Sequence, residues 1–102
     1  QGRYRDLEIE GETYTLQVMP LMADAEDSQG WRFELTKAAG LVSPGVALKL
    51  LTEDLQPFEN NQAVATEAVD SLYVDVAVAA KEGIVWQVQP IPSQYEPEIL
   101  RF

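Results

Sequence analysis

The chain predicts an all-β fold, an antiparallel β-sandwich, on three observations. Apolar residues recur at every second position in one stretch after another, the period of a half-buried strand. Turn-forming Gly, Pro, Asn and Ser punctuate these stretches at about ten-residue spacing. No segment carries the helical period of apolar residues. The alternation is densest over residues 46–58, VALKLLTEDLQPF, and 72–88, LYVDVAVAAKEGIVWQV.

Residues 3–10, RYRDLEIE, set Leu7 and Ile9 against Asp6, Glu8 and Glu10, a strand with one wet side. Gly11 marks a turn. Residues 12–19 then oppose Tyr14, Leu16 and Val18 to Thr13, Thr15 and Gln17, which completes a hairpin. Pro20 cannot donate to a ladder, so this strand ends, bulges or lies at an edge there. The acidic stretch 24–30 follows as a loop. Over residues 31–37, Trp31, Phe33 and Leu35 face inward and Arg32, Glu34 and Thr36 outward, the aromatic pair supplying core volume.

Ser43, Pro44 and Gly45 form a turn, because Pro presets one dihedral and Gly accepts positive φ beside it. In the next strand, 46–51, Val46, Leu48 and Leu50 point one way and Ala47, Lys49 and Leu51 the other, with residues 52–54 as its exit. Residues 55–58 read as a short strand or corner, 59–62 as a polar turn, and 63–69 as a connector or short strand. Leu72, Val74, Val76 and Val78 share one face of a strand whose other face carries Tyr73, Asp75, Ala77 and Ala79. Lys81, Glu82 and Gly83 turn the chain, and residues 84–89 return as the second arm of a hairpin until Pro90 and Pro92 stop it. The final segment, YEPEILRF, is too apolar at Ile99, Leu100 and Phe102 to float free, and is expected to dock on the core or pair at an edge.

About seven or eight strands in this order fit an immunoglobulin-like sandwich or a related Greek key, with a small β-barrel as the alternative. At 102 residues the whole chain forms one domain. Gln1 rather than Met at its start leads us to expect the carboxy-terminal part of a longer protein. The net charge is −10, from 17 acidic and 7 basic residues, which leaves no basic patch for nucleic acid or anionic lipid. No apolar run is long enough for a helical membrane span. Cysteine is absent, so no disulfide or thiolate metal site exists, and a cytoplasmic location is expected.

The absence of histidine removes the Ser-His-Asp triad, imidazole acid–base chemistry and the usual zinc and iron ligand sets. No phosphate-binding glycine motif occurs. Glu53, Asp54 and Glu59 are the carboxylates close enough in sequence for paired acid–base work, but they stand in hydrophilic turns where solvation explains them. No enzyme activity and no cofactor are expected. Asp24, Glu26 and Asp27 offer oxygen ligands for calcium without the EF-hand spacing. Trp31 and Trp86 could stack a sugar, yet both are in phase with core positions. Tyr73 lies opposite Leu72 and Val74 on the side of Asp75, and that face is the preferred contact surface.

The segments VALKLLTEDLQPFENN, VDSLYVDVAVAAKEGIVWQVQP and YEPEILRF resemble the carboxy-terminal portion of a cyanobacterial family of unknown function. The match runs from Pro44 and Gly45 into LLTEDLQPFE and ends in EILRF; it covers residues 41–102 well and the first forty loosely. Gln87 departs from it, standing where related sequences tend to be acidic. The resemblance implies longer members and no established activity. The reading is therefore a non-catalytic protein-interaction or structural module. Its partner is another protein or the rest of the parent chain, with weak self-association beside it. Glu53, Asp54, Phe58, Glu59 and Tyr73 are the candidate contact residues. A carbohydrate- or calcium-binding module is the alternative.

Overall fold

The computed structural model describes residues 3–21 and 28–102. One sheet holds β1 (Arg3–Ile9), β2 (Glu12–Pro20), β3 (Ser28–Lys37) and β6 (Leu72–Ala79), in the order β1-β2-β3-β6. The other holds β4 (Ala47–Thr52), β5 (Pro57–Val64), β7 (Gly83–Gln89) and β8 (Ile99–Arg101), in the order β5-β4-β7-β8. Every pairing is antiparallel. The two sheets stay separate, so the fold is a sandwich and the barrel alternative falls. Its order also differs from the immunoglobulin one, whose four-stranded sheet runs A-B-E-D.

Alternation decides which residues meet between the sheets. Leu16, Phe33 and Leu35 of the first sheet join Leu48, Leu50 and Ile84 of the second in one cluster, each 0% exposed. Burying an aromatic or branched aliphatic side chain contributes roughly 1.5–3 kcal/mol, so these inner faces hold the sheets together. The first hairpin turns tightly because Glu10 and Gly11 both take positive φ, 50° and 82°, the type I′ geometry that matches strand twist.

Two sequence expectations are corrected. First, β6 and β7 do not form a hairpin: β6 pairs with β3 and β7 with β4, and residues 80–82 carry the chain from one sheet to the other. The burial patterns explain this. β7 buries Ile84, Val85 and Trp86 in succession, as a central strand does, whereas β6 is apolar on one side only, as suits an edge. Second, residues 59–62 are not a turn but the middle of β5. Their polarity is that of an edge strand, and the register shift opposite Lys49 and Leu51, with Asn60 at φ 55°, marks a bulge. The closing segment does pair at an edge, as β8 on β7, and Phe102 packs 4.6 Å from the Trp31 ring.

Candidate interaction surface

The exit of β4 is a turn built by its own side chains. Leu55 N donates to Thr52 O at 2.9 Å, and Thr52 N donates to Gln56 O at 2.8 Å. Thr52 Oγ1 accepts from Gln56 N at 3.0 Å and donates to Asp54 Oδ1 at 2.6 Å. This network fixes Leu55 at φ 66°, a left-handed conformation that costs a leucine roughly 1–2 kcal/mol. Leu55 is nevertheless 56% exposed, so the strain is not offset by burial of its side chain.

Glu53 leaves that turn to meet Arg101 of the last strand. Arg101 Nη2 donates to Glu53 Oε1 at 2.9 Å and Nη1 to Oε2 at 3.1 Å, a two-pronged pair. Hydrogen bonding from Arg101, then its charge, holds the Glu53 carboxyl below its ordinary range, and the same pair raises Arg101. The pair lies beside Gly83, where an added Cβ would sit 2.6 Å from Ile99 Cγ2 and 3.2 Å from both Glu53 Oε2 and Arg101 Nη1. No side chain fits there without displacing a neighbour.

On this outer side of the second sheet the register aligns Pro57, Leu51, Val85 and Ile99 in one row across four strands. Leu51 and Val85 are buried yet stand apart from the core cluster, and Ile99 is 45% exposed at the row's end. Leu51 and Val85 are thus covered outside the core between the sheets, and Ile99 is the exposed apolar side chain at the row's end.

Of the residues singled out from sequence, Glu53 and Asp54 sit in this turn and are exposed. Phe58 and Glu59 stand in β5, with their side chains outside the described residues. Tyr73 is not brought to the corner: it lies on the outer face of the other sheet, 51% exposed, with the Arg32 guanidinium 4.2 Å from its ring centre. Arg32 is held there by a two-pronged bond to Asp75, at 2.8 and 3.0 Å, and Asp75 raises its affinity for the proton. The acidic loop with Asp24, Glu26 and Asp27 lies outside the described residues. Gly83, Ile99 and Arg101 were missed as parts of the site, and nothing local in the sequence marks them.

A second polar cluster is fully occupied with itself. Glu98 Oε1 accepts from Trp86 Nε1 and from Arg5 Nε, both at 2.9 Å, while Oε2 accepts from Arg5 Nη2 at 3.1 Å. Tyr95 donates to Trp86 O at 2.6 Å and packs edge-on to the indole. Burial pushes Glu98 up, but the bonds from Arg5 and Trp86 outweigh it and hold the carboxyl below its ordinary value. Burial, then the Glu98 charge, raises Tyr95. The adjoining cleft, about 410 Å3, lies between β1 and the connector from β7 to β8. Its partly buried charges are already paired, so the cluster clamps that connector to β1. Trp86 is buried in the core, and half-buried Trp31 is covered by Phe102, which leaves neither indole as an open sugar platform.

A family model described as a protein of unknown function, DUF1822, matches residues 1–101. The chain belongs to the DUF1822 family. The match spans the first forty residues as well as the rest. No curated protein and no solved structure matches. Among the described residues of this DUF1822 chain, no helix is long and apolar enough to cross a membrane, and no three acidic residues converge as a metal site.

Proposed function

We propose that this domain is a non-catalytic protein-contact module and that residues 52–56, with the exposed Ile99 at the end of the outer row, form its contact surface. The observation that carries the reading is Leu55, an exposed leucine kept in a strained left-handed conformation by four hydrogen bonds. Strain of this kind persists where the surroundings impose it and is a recognised companion of binding sites. Exposed Ile99, which meets the Glu53–Arg101 pair around Gly83, adds an apolar side chain with a polar rim beside it, the form of a contact patch. The carboxylates support the non-catalytic side of the reading: Glu53 and Glu98 are both held ionised by arginine, which unfits them as general acids near neutrality.

A place in the cytoplasm, a cyanobacterial origin and a position at the carboxy-terminal end of longer proteins belong to the same reading. The last two rest on the LLTEDLQPFE and EILRF segments. Affinity capture from the native cell tests the function, with the parent chain as bait and its L55D variant as the comparison. A specific partner lost with L55D, while the variant keeps the wild-type fold by circular dichroism, supports the reading. A partner set unchanged by L55D overturns it.

A further inference from the structure

Of the four strands at sheet edges, three carry a device that blocks further pairing. In β1, Arg3 and Arg5 occupy the inward phase, Arg5 Nη1 caps Tyr4 O at 2.9 Å, and Ser93 N caps Glu8 O at 2.8 Å. Strand β5 opens with Pro57 and bulges. Strand β8 has three residues, and Arg3 Nη2 caps Arg101 O at 2.7 Å. Inward charge, proline, bulges and shortness are the usual protections of an edge. Strand β6 has none of them: it runs for eight regular residues, LYVDVAVA, without Pro, Gly or an inward charge.

The orientation of its free groups follows from Ala79. Its N–H donates to Glu82 Oε1 at 2.9 Å and its carbonyl accepts from Glu82 N at 3.1 Å, so both point away from β3. Backbone groups alternate along a strand, which puts the N–H and C=O of Tyr73, Asp75 and Ala77 on the same open edge. Among the described residues none of these groups has a hydrogen-bond partner. On the inward side of the same strand Val76 is only half-buried, leaving apolar surface for a neighbour.

We propose that the open edge of β6 takes up an extended segment of a partner protein as a fifth strand of its sheet. The segment carries Lys or Arg at alternate positions on the outer face and small apolar residues at the others. Charge selects this occupant over a second copy. Asp75 is already bonded to Arg32, so the selection comes from the net charge: a second copy brings its own −10, whereas a cationic strand meets −10 and Glu34, which is paired beside Tyr73. Backbone bonds supply the affinity and the alternating side chains the specificity. The inference rests on the contact-module reading but names a different surface and the partner's chemistry.

The test uses the 102-residue chain and a short capped peptide of alternating Lys and Val, with a Glu/Val peptide as control. Hydrogen exchange at the Tyr73, Asp75 and Ala77 amides is expected to slow by about tenfold or more with Lys/Val and to stay unchanged with Glu/Val. A77P removes an outward N–H without touching the bonds to β3, and is expected to weaken binding by about tenfold. Unchanged exchange at β3 amides verifies the fold of the variant. Three results overturn the proposal: no slowing at these amides, binding that survives A77P and so is charge alone, or concentration-dependent protection without peptide, which means self-pairing. The contact-module reading is tested separately by L55D, so either can fail while the other stands.

Discussion

Glu53 and Arg101, 48 residues apart, close a two-pronged ion pair beside Gly83, so the β4 turn and strands β7 and β8 meet at one point. Glu53 comes from TEDLQPFE, Gly83 opens the GIVW strand and Arg101 belongs to EILRF. The pair ties the shortest strand to the β4 turn. Both groups are exposed, so the effect is local ordering more than global stability. E53Q is expected to speed hydrogen exchange at the Leu100 amide several-fold and to leave the Leu16 and Leu35 amides as they are. The double swap E53R with R101E should recover most of that protection. Equal acceleration throughout both sheets would show that the pair holds up the whole fold instead.

The Gly83 site predicts a steric cost. G83A places a methyl 2.6 Å from Ile99 Cγ2, and overpacking of this kind costs roughly 1–3 kcal/mol. Urea denaturation of G83A should therefore show a lower midpoint with an unchanged slope. Combining it with I99A should return part of the loss, because alanine lacks the Cγ2 atom that the methyl meets, whereas I99V keeps that atom and should return little.

The clamp at Glu98 predicts the acid limb of stability. Its folded carboxyl binds a proton less readily than the ordinary value of 4.5, so the unfolded chain takes up protons first and stability falls with pH. The contribution is whole above 4.5 and is lost as pH drops through the lower folded value. E98Q keeps the shape and removes the charge. For a half-buried, charge-assisted set of bonds the expected cost is about 1–2 kcal/mol at pH 7. The variant's stability should also vary less than wild type between pH 5 and 3, a range read by thermal melts at stepped pH. A parallel pH dependence in E98Q and wild type would assign the acid limb to other carboxylates.

Local pattern carried much of the fold. Alternation placed β1, β2, β4 and β6 close to their observed limits, since a strand with one wet face writes its period into the sequence, while β3 begins at Ser28, three residues before the expected start. Sheet membership was not written there. The step from β6 to β7 has the turn residues of a hairpin, and only the two-sided burial of Ile84, Val85 and Trp86 reveals a central strand of the other sheet. Strand β5 was obscured because an edge strand with a bulge, rich in Asn and Gln, has the composition of a turn. Of the candidate site, the sequence singled out Glu53, Asp54, Phe58 and Glu59, which stand in polar segments. Its geometry was not legible, because the Glu53–Arg101 pair and the approach of Ile99 to Gly83 depend on long-range register.

The strained leucine supplies the sharpest test, because stability and contact should move in opposite directions. Leu55 has φ 66° and is 56% exposed, so L55G removes a steric penalty while giving up little buried surface. The gain, roughly 1–2 kcal/mol of relieved strain, is partly offset by the greater chain entropy of glycine, about 0.5–1 kcal/mol. A net rise of roughly 0.5–1 kcal/mol, a few degrees in Tm, is expected by calorimetry. If Leu55 served folding, the same change would lower Tm, since a core residue loses its packing on truncation. The fold therefore tolerates the strain for a purpose other than its own stability when L55G melts higher than wild type and loses its partner in the capture experiment.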